Sequence, residues 1–89
     1  MSEQIIFNRL ILKSGDKYLG FCPELNVAVI SDSLESARDS LAEGVREVLE
    51  ITKKDRQLEH LLKEAGFSKG KDGWTSPGVA ETGTGKISI

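Results

Sequence analysis

The chain has 89 residues, 38% of them hydrophobic and 29% charged, which is room for one domain, or one domain with a tail. Twelve basic against fourteen acidic residues give a formal charge of −2. That balance argues against a dedicated nucleic-acid binder, which normally shows a basic patch or stripe, and it suits a basic partner.

Met1-Ser2-Glu3-Gln4 has no basic region followed by an apolar run, so no signal peptide is expected. Ile5 to Leu12 is rich in apolar and β-branched residues and predicts a strand. Ser14-Gly15-Asp16 breaks it, and Gly15 takes positive φ without a steric penalty. Lys17 to Cys22 predicts a second strand, with Tyr18, Gly20 and Cys22 on one face and Leu19 and Phe21 on the other. The short loop implies an antiparallel hairpin. Pro23 ends the pairing, Glu24-Leu25 is a bend, and Asn26 to Ser31 is a third strand. Such a meander leaves one face in need of cover.

The cover is a helix that starts at Asp32-Ser33. Ser33 is a good N-cap, and Glu35 lies in the first turn, where negative charge suits the helix dipole. Leu34, Ala37, Leu41, Val45, Val48 and Leu49 fall on one stripe, with charged residues mostly outside it. Gly44 within this helix points to close approach by the sheet or by a second subunit. Lys53-Lys54-Asp55 marks a polar interruption or bend. Leu58, Leu61, Leu62 and Ala65 predict a second, shorter helix, with Gly66 as a left-handed cap and Phe67 packing back on the last turn.

Six of the nine glycines lie between Gly66 and Gly85. Trp74-Thr75 has the make-up of a short strand, and Lys86 to Ile89 alternates like a terminal edge strand. The fold class is therefore α+β: a three-stranded antiparallel meander covered by a helix (β-β-β-α), then a second short helix and a C-terminal strand. The organisation expected is a domain over 1–67 and a glycine-rich segment over 68–89, docked or partly mobile. The core is small, so a homodimer or higher homo-oligomer is expected.

The chemistry-bearing residues are sparse. Cys22 is the only cysteine, so no internal disulfide framework exists and a cytoplasmic location is expected. It reads as a small buried side chain, since nothing local lowers a thiol pKa. His60 has no nucleophile near it in the sequence and reads as structural or surface. A two-metal nuclease would need Asp16, Glu24, Asp32, Glu35 and Asp39 to converge, whereas most fit turns, caps or solvent. Gly83-Thr84-Gly85-Lys86 lacks the spacing and following helix of a phosphate loop. Trp74 beside Lys69 and Lys71 suggests a stacking platform, or packing over the sheet or at a dimer seam. Neither a metal nor a cofactor is expected, no apolar stretch approaches a membrane span, and binding is expected in place of catalysis.

One stretch carries a resemblance. From Leu12 to Glu50, the aromatic hairpin strand Tyr18 to Phe21 is followed by Pro23-Glu24-Leu25 and a strand. Then come a polar helix start at Asp32-Ser33 with Glu35 and Ala37, and a helix of repeated Glu and apolar positions. This resembles the HicB-like antitoxin family over about half the chain. The resemblance implies a truncated ribonuclease-H-like sheet with three strands, a helix and then a further strand, a homodimer or higher oligomer, and masking of a small basic ribonuclease toxin, HicA. Fuller members of the family carry a C-terminal DNA-binding domain.

Three features depart from that pattern. Val27 to Asp32 contains no glycine, no helix-turn-helix or ribbon-helix-helix segment follows, and the second helix and Trp74 segment are additional. Operator binding is therefore not expected. The run to Gly66-Phe67 and Gly73-Trp74 is similar to the toxin's own start, but no histidine follows His60, which argues against toxin activity. The residues expected to meet a partner are surface ones: Glu24, Arg38, Glu43 and Trp74. The alternative is a small RNA-binding domain, which requires Lys13, Lys17, Lys53, Lys54, Lys69 and Lys71 to cluster.

Overall fold

The computed structural model describes residues 3–89. The expectation of no signal peptide rests in part on Met1 and Ser2, which lie outside the described residues.

The run from Ile5 to Leu12 does not form one strand. It breaks at residues 7–9 into β1 (Gln4–Ile6) and β2 (Leu10–Ser14), and the two pieces enter different sheets. β2, β3 (Lys17–Cys22) and β4 (Val27–Ser31) form the expected antiparallel meander. Ser14 pairs with Lys17, which leaves a two-residue turn with Gly15 at φ +62°, a geometry that costs a glycine little. Pro23–Leu25 is a single 3₁₀ turn closed by Asn26, whose φ of 55° is one of the few left-handed conformations a non-glycine residue tolerates.

Helix α1 (Leu34–Lys54) lies across one face of the meander. The Ser33 hydroxyl accepts the Ser36 N–H at 3.0 Å, as an N-cap should. Ala37, Leu41 and Val45 are buried beneath the helix, and full burial of a side chain such as Leu41 contributes about 1.5–3 kcal/mol. Two glycines set the helix–sheet distance. A Cβ at Gly20 would sit 3.0 Å from Val29 and 3.5 Å from the Ala37 carbonyl, so α1 comes down onto β3 at that point. A Cβ at Gly44 would sit 3.0 Å from Val27, so it is the sheet that this helical glycine accommodates.

The polar stretch at 53–55 is the end of α1. Arg56 takes φ 61°, its N–H donates to the Lys53 carbonyl at 3.0 Å, and the Gln57 N–H reaches the Thr52 carbonyl at 2.9 Å. Helix α2 (Leu58–Glu64) ends in the same way. Gly66 at φ 89° donates to Lys63, and the Phe67 N–H reaches Leu62 at 2.9 Å. Both ends are Schellman caps.

A second sheet was not expected. β1 pairs in parallel with β6 (Gly73–Thr75), which pairs antiparallel with β5 (Ser68–Lys69). Gly73, at φ +154°, admits the close approach of β1, because a Cβ there would collide with the Gln4 backbone. Two buried clusters result. Cys22, Leu41 and Val45 lie under α1, while Leu62, Phe67 and Trp74 lie between α2 and the second sheet. Phe7, Leu25 and Leu49 pack against both clusters.

The glycine-rich segment is thus divided. Residues 68–75 are docked, so a boundary at 67 cuts through packed structure. The Ser76 N–H still donates to the Ile6 carbonyl, and the Asn8 side-chain amide to the Pro77 carbonyl, both at 2.8 Å. Beyond that, the strand expected at Lys86 to Ile89 does not form. Alternation alone did not bring that segment to a sheet edge, and Ile87 and Ile89 are fully exposed. Among the described residues, no helix is long and apolar enough to cross a membrane.

Candidate interaction surfaces

The four residues singled out as partner contacts do not form one site. Trp74 is buried at 4% exposure, with the Lys69 ammonium 5.6 Å from its ring centroid, so its reading as a surface contact is corrected. Its strand is held between β1 and β5, which turns the indole into the second cluster. Glu24 is half-buried and engaged internally. The 3₁₀ turn aims its carboxylate at the break between β1 and β2, where Oε2 accepts the Asn8 N–H at 2.7 Å. Its other oxygen, Oε1, is buried without a hydrogen-bond partner. Arg38 and Glu43 are exposed on α1, as expected. Five positions separate them, roughly 140° around the helix, so they do not share a face.

What the helix presents up to Glu50 is acidic. Its exposed charged residues there are Glu35, Asp39, Glu43, Glu47 and Glu50, against Arg38 and Arg46, and Lys53 and Lys54 follow in the last turn. Arg46 pairs with Glu43 at 3.7 Å, which offsets one charge of each sign. Beside this face, between β1 and α1, runs a groove of about 410 Å³. Its floor is apolar (Ile5, Phe7, Leu49, Leu58), and Arg46, Glu50 and Lys53 stand on its rim. Arg46 and Glu50 belong to both surfaces, so groove and acidic face are continuous.

The lysines that an RNA surface would need are separated. Lys17 is ion-paired with Asp32, and Lys13 sits over Tyr18 on the meander. Lys53 and Lys69 line a different, smaller hollow with Arg56, and Glu3 and Glu59 share that hollow. The carboxylates of the nuclease reading are likewise dispersed, and no group of three or more His, Cys, Asp or Glu side chains able to hold a metal ion occurs among the described residues. His60 is exposed and lies 3.2 Å from Glu64, one turn along α2. Cys22 is fully buried, and its thiol is pushed up to about 11, chiefly by that burial, with the Glu24 carboxylate adding to the effect.

One surface escaped the sequence reading. The far side of the meander, away from α1, carries Leu10, Phe21 and Ala28 in one cross-strand row and Leu12, Leu19 and Ile30 in the next. The signal was present, because the strands are apolar at consecutive positions and not only at alternate ones.

Comparison with family models, curated proteins and solved structures finds no match to this chain.

Proposed function

We propose that this chain is a non-catalytic interaction domain of the HicB antitoxin type. It masks a small basic partner, a ribonuclease toxin of the HicA kind, with the outer face of α1 and the groove beside it. The observation that carries this reading is the run of exposed carboxylates on the outer side of α1, Glu35, Asp39, Glu43, Glu47 and Glu50, which share that side with Arg46 until Lys53 and Lys54 close the helix. Such a surface steers a basic partner into encounter and disfavours an acidic one, nucleic acid included. The apolar groove floor supplies the desolvated centre that charge alone lacks. The strand–strand–strand–helix order over residues 10–54 follows the first four elements that the family resemblance implies, while the strands after the helix form a sheet with β1 and not with the meander.

The test is co-expression of the chain with a HicA-type toxin from the same host, followed by titration calorimetry of the purified pair. Growth is rescued, and affinity falls steeply as salt rises. The double charge reversal Glu43→Lys with Glu47→Lys, both solvent-exposed, leaves the fold intact and weakens binding by about tenfold or more. Unrescued growth together with no heat of binding at low salt would remove the antitoxin reading.

A further inference from the structure

We infer that the outer face of the meander is a self-association surface, covered in solution by the same face of a second copy of this chain. The inference does not rest on the antitoxin reading and concerns the opposite side of the sheet from α1.

The face is a grid of two rows, Leu10–Phe21–Ala28 and Leu12–Leu19–Ile30, set by the register of β2, β3 and β4. All six side chains are apolar. Leu10, Leu12 and Ile30 are 45, 46 and 70% exposed. With the open parts of Leu19, Phe21 and Ala28, the patch is on the order of 400 Å² per chain, the size of the largest apolar patch on a typical monomer, which is often a functional one. It is about half of the ~800 Å² that each partner of a stable complex buries. The other half is polar rim in such interfaces, and here the Lys17–Asp32 ion pair stands at the hairpin end of the grid.

Three features select a second copy over other occupants. The grid holds no charge, so it offers nothing to a basic toxin or to a nucleic-acid backbone, whereas α1 does carry charge on the other side. A flat apolar grid centred on β3 matches itself across a two-fold axis, in which each row meets a row of the same character. Two such sheets stacked about 10 Å apart and rotated by about 30° form the core of a sandwich. Finally, only seven hydrophobic residues are buried as core among the described residues, and stacking would add the six of the grid from each chain.

Analytical ultracentrifugation of the full chain at micromolar concentration tests this, alongside the variants Leu12→Glu and Ile30→Glu. The wild type sediments as a dimer. Each variant weakens the dimer by about a hundredfold or more, because a carboxylate must be desolvated in the seam. If a glutamate unfolds the sheet, Leu12→Thr with Ile30→Thr keeps strand propensity while removing the apolar surface, and yields a folded monomer by circular dichroism. The pair Glu43→Lys with Glu47→Lys remains dimeric. So does Ile87→Glu with Ile89→Glu, which disables the exposed C-terminal segment as a cover in trans. A monomeric wild type, a dimer that survives both the Glu and the Thr variants, or a dimer lost through the Ile87 and Ile89 changes would each overturn the assignment. Toxin affinity of the Leu12→Thr, Ile30→Thr chain is read separately. Retained binding there leaves the antitoxin reading standing whichever way the dimer test falls.

Discussion

Cys22 ends β3 beneath α1, with no exposed surface. Burial raises its thiol from an ordinary 9.0 to about 11; the Leu25 backbone N–H pulls the other way, and the Glu24 carboxylate repels the thiolate. The folded chain therefore holds this proton to higher pH than the unfolded chain does. The resulting stability is complete below pH 9 and is lost as pH rises from about 9 towards about 11. At 1.36 kcal/mol per pKa unit the loss is about 2–3 kcal/mol. Urea unfolding at a series of alkaline pH values should show that decline. The diagnostic quantity is the difference from Cys22→Ala, whose profile should be flatter by about that amount. Parallel profiles would mean that the thiol ionises as easily folded as unfolded.

The two helices end in the same hydrogen-bond pattern with different residues at the left-handed position. Gly66 occupies it after α2, and Arg56 occupies it after α1 at φ 61°. A residue with a Cβ is strained there by about 1–2 kcal/mol. Arg56→Gly relieves that strain but loosens the unfolded chain, for a net gain of about 0.5–1 kcal/mol. Gly66→Ala costs about 1–2 kcal/mol. Its Cβ would make ordinary contact with Pro77 at 3.5 Å, so the cost lies in the backbone. Thermal melts of the two single variants should move in opposite directions. Movement in the same direction would show that φ is not what sets these ends.

That pair also shows which parts of the fold were legible in advance. Gly66 announces its helix end, whereas Arg56 carries no such signal, and the same cap was read only as a polar interruption. The meander and α1 were legible because their cues are local: a Gly15 turn, Pro23, a Ser33 cap and a helical stripe. The second sheet was not, because β1 finds β6 almost seventy residues later and no glycine or proline marks the break at residues 7–9. The candidate site divides on the same principle. Arg38 and Glu43 sit outward because helical periodicity says so. Glu24 and Trp74 are drawn inward by long-range partners, Asn8 and β1 respectively.

At the scale of the whole molecule, the question is whether the meander with α1 and the second sheet with α2 unfold as one. Each has its own buried cluster, with Cys22 in the first and Trp74 in the second. Phe7, Leu25 and Leu49 touch both, and Phe7 sits at the break where the chain passes from one sheet to the other. These shared side chains make the two clusters a single cooperative body, since neither can open without exposing surface that the other needs. Trp74 fluorescence and Cys22 thiol accessibility, followed through urea at one fixed protein concentration, should therefore trace the same transition in the wild type. Phe7→Ala removes a bridging ring at a cost of about 2–4 kcal/mol and should separate the two curves. Trp74 should move first, because its sheet consists of strands of two or three residues backed by a seven-residue helix. Superimposed curves in Phe7→Ala would place the coupling in Leu25 and Leu49, the other side chains that touch both clusters, instead of in the Phe7 ring.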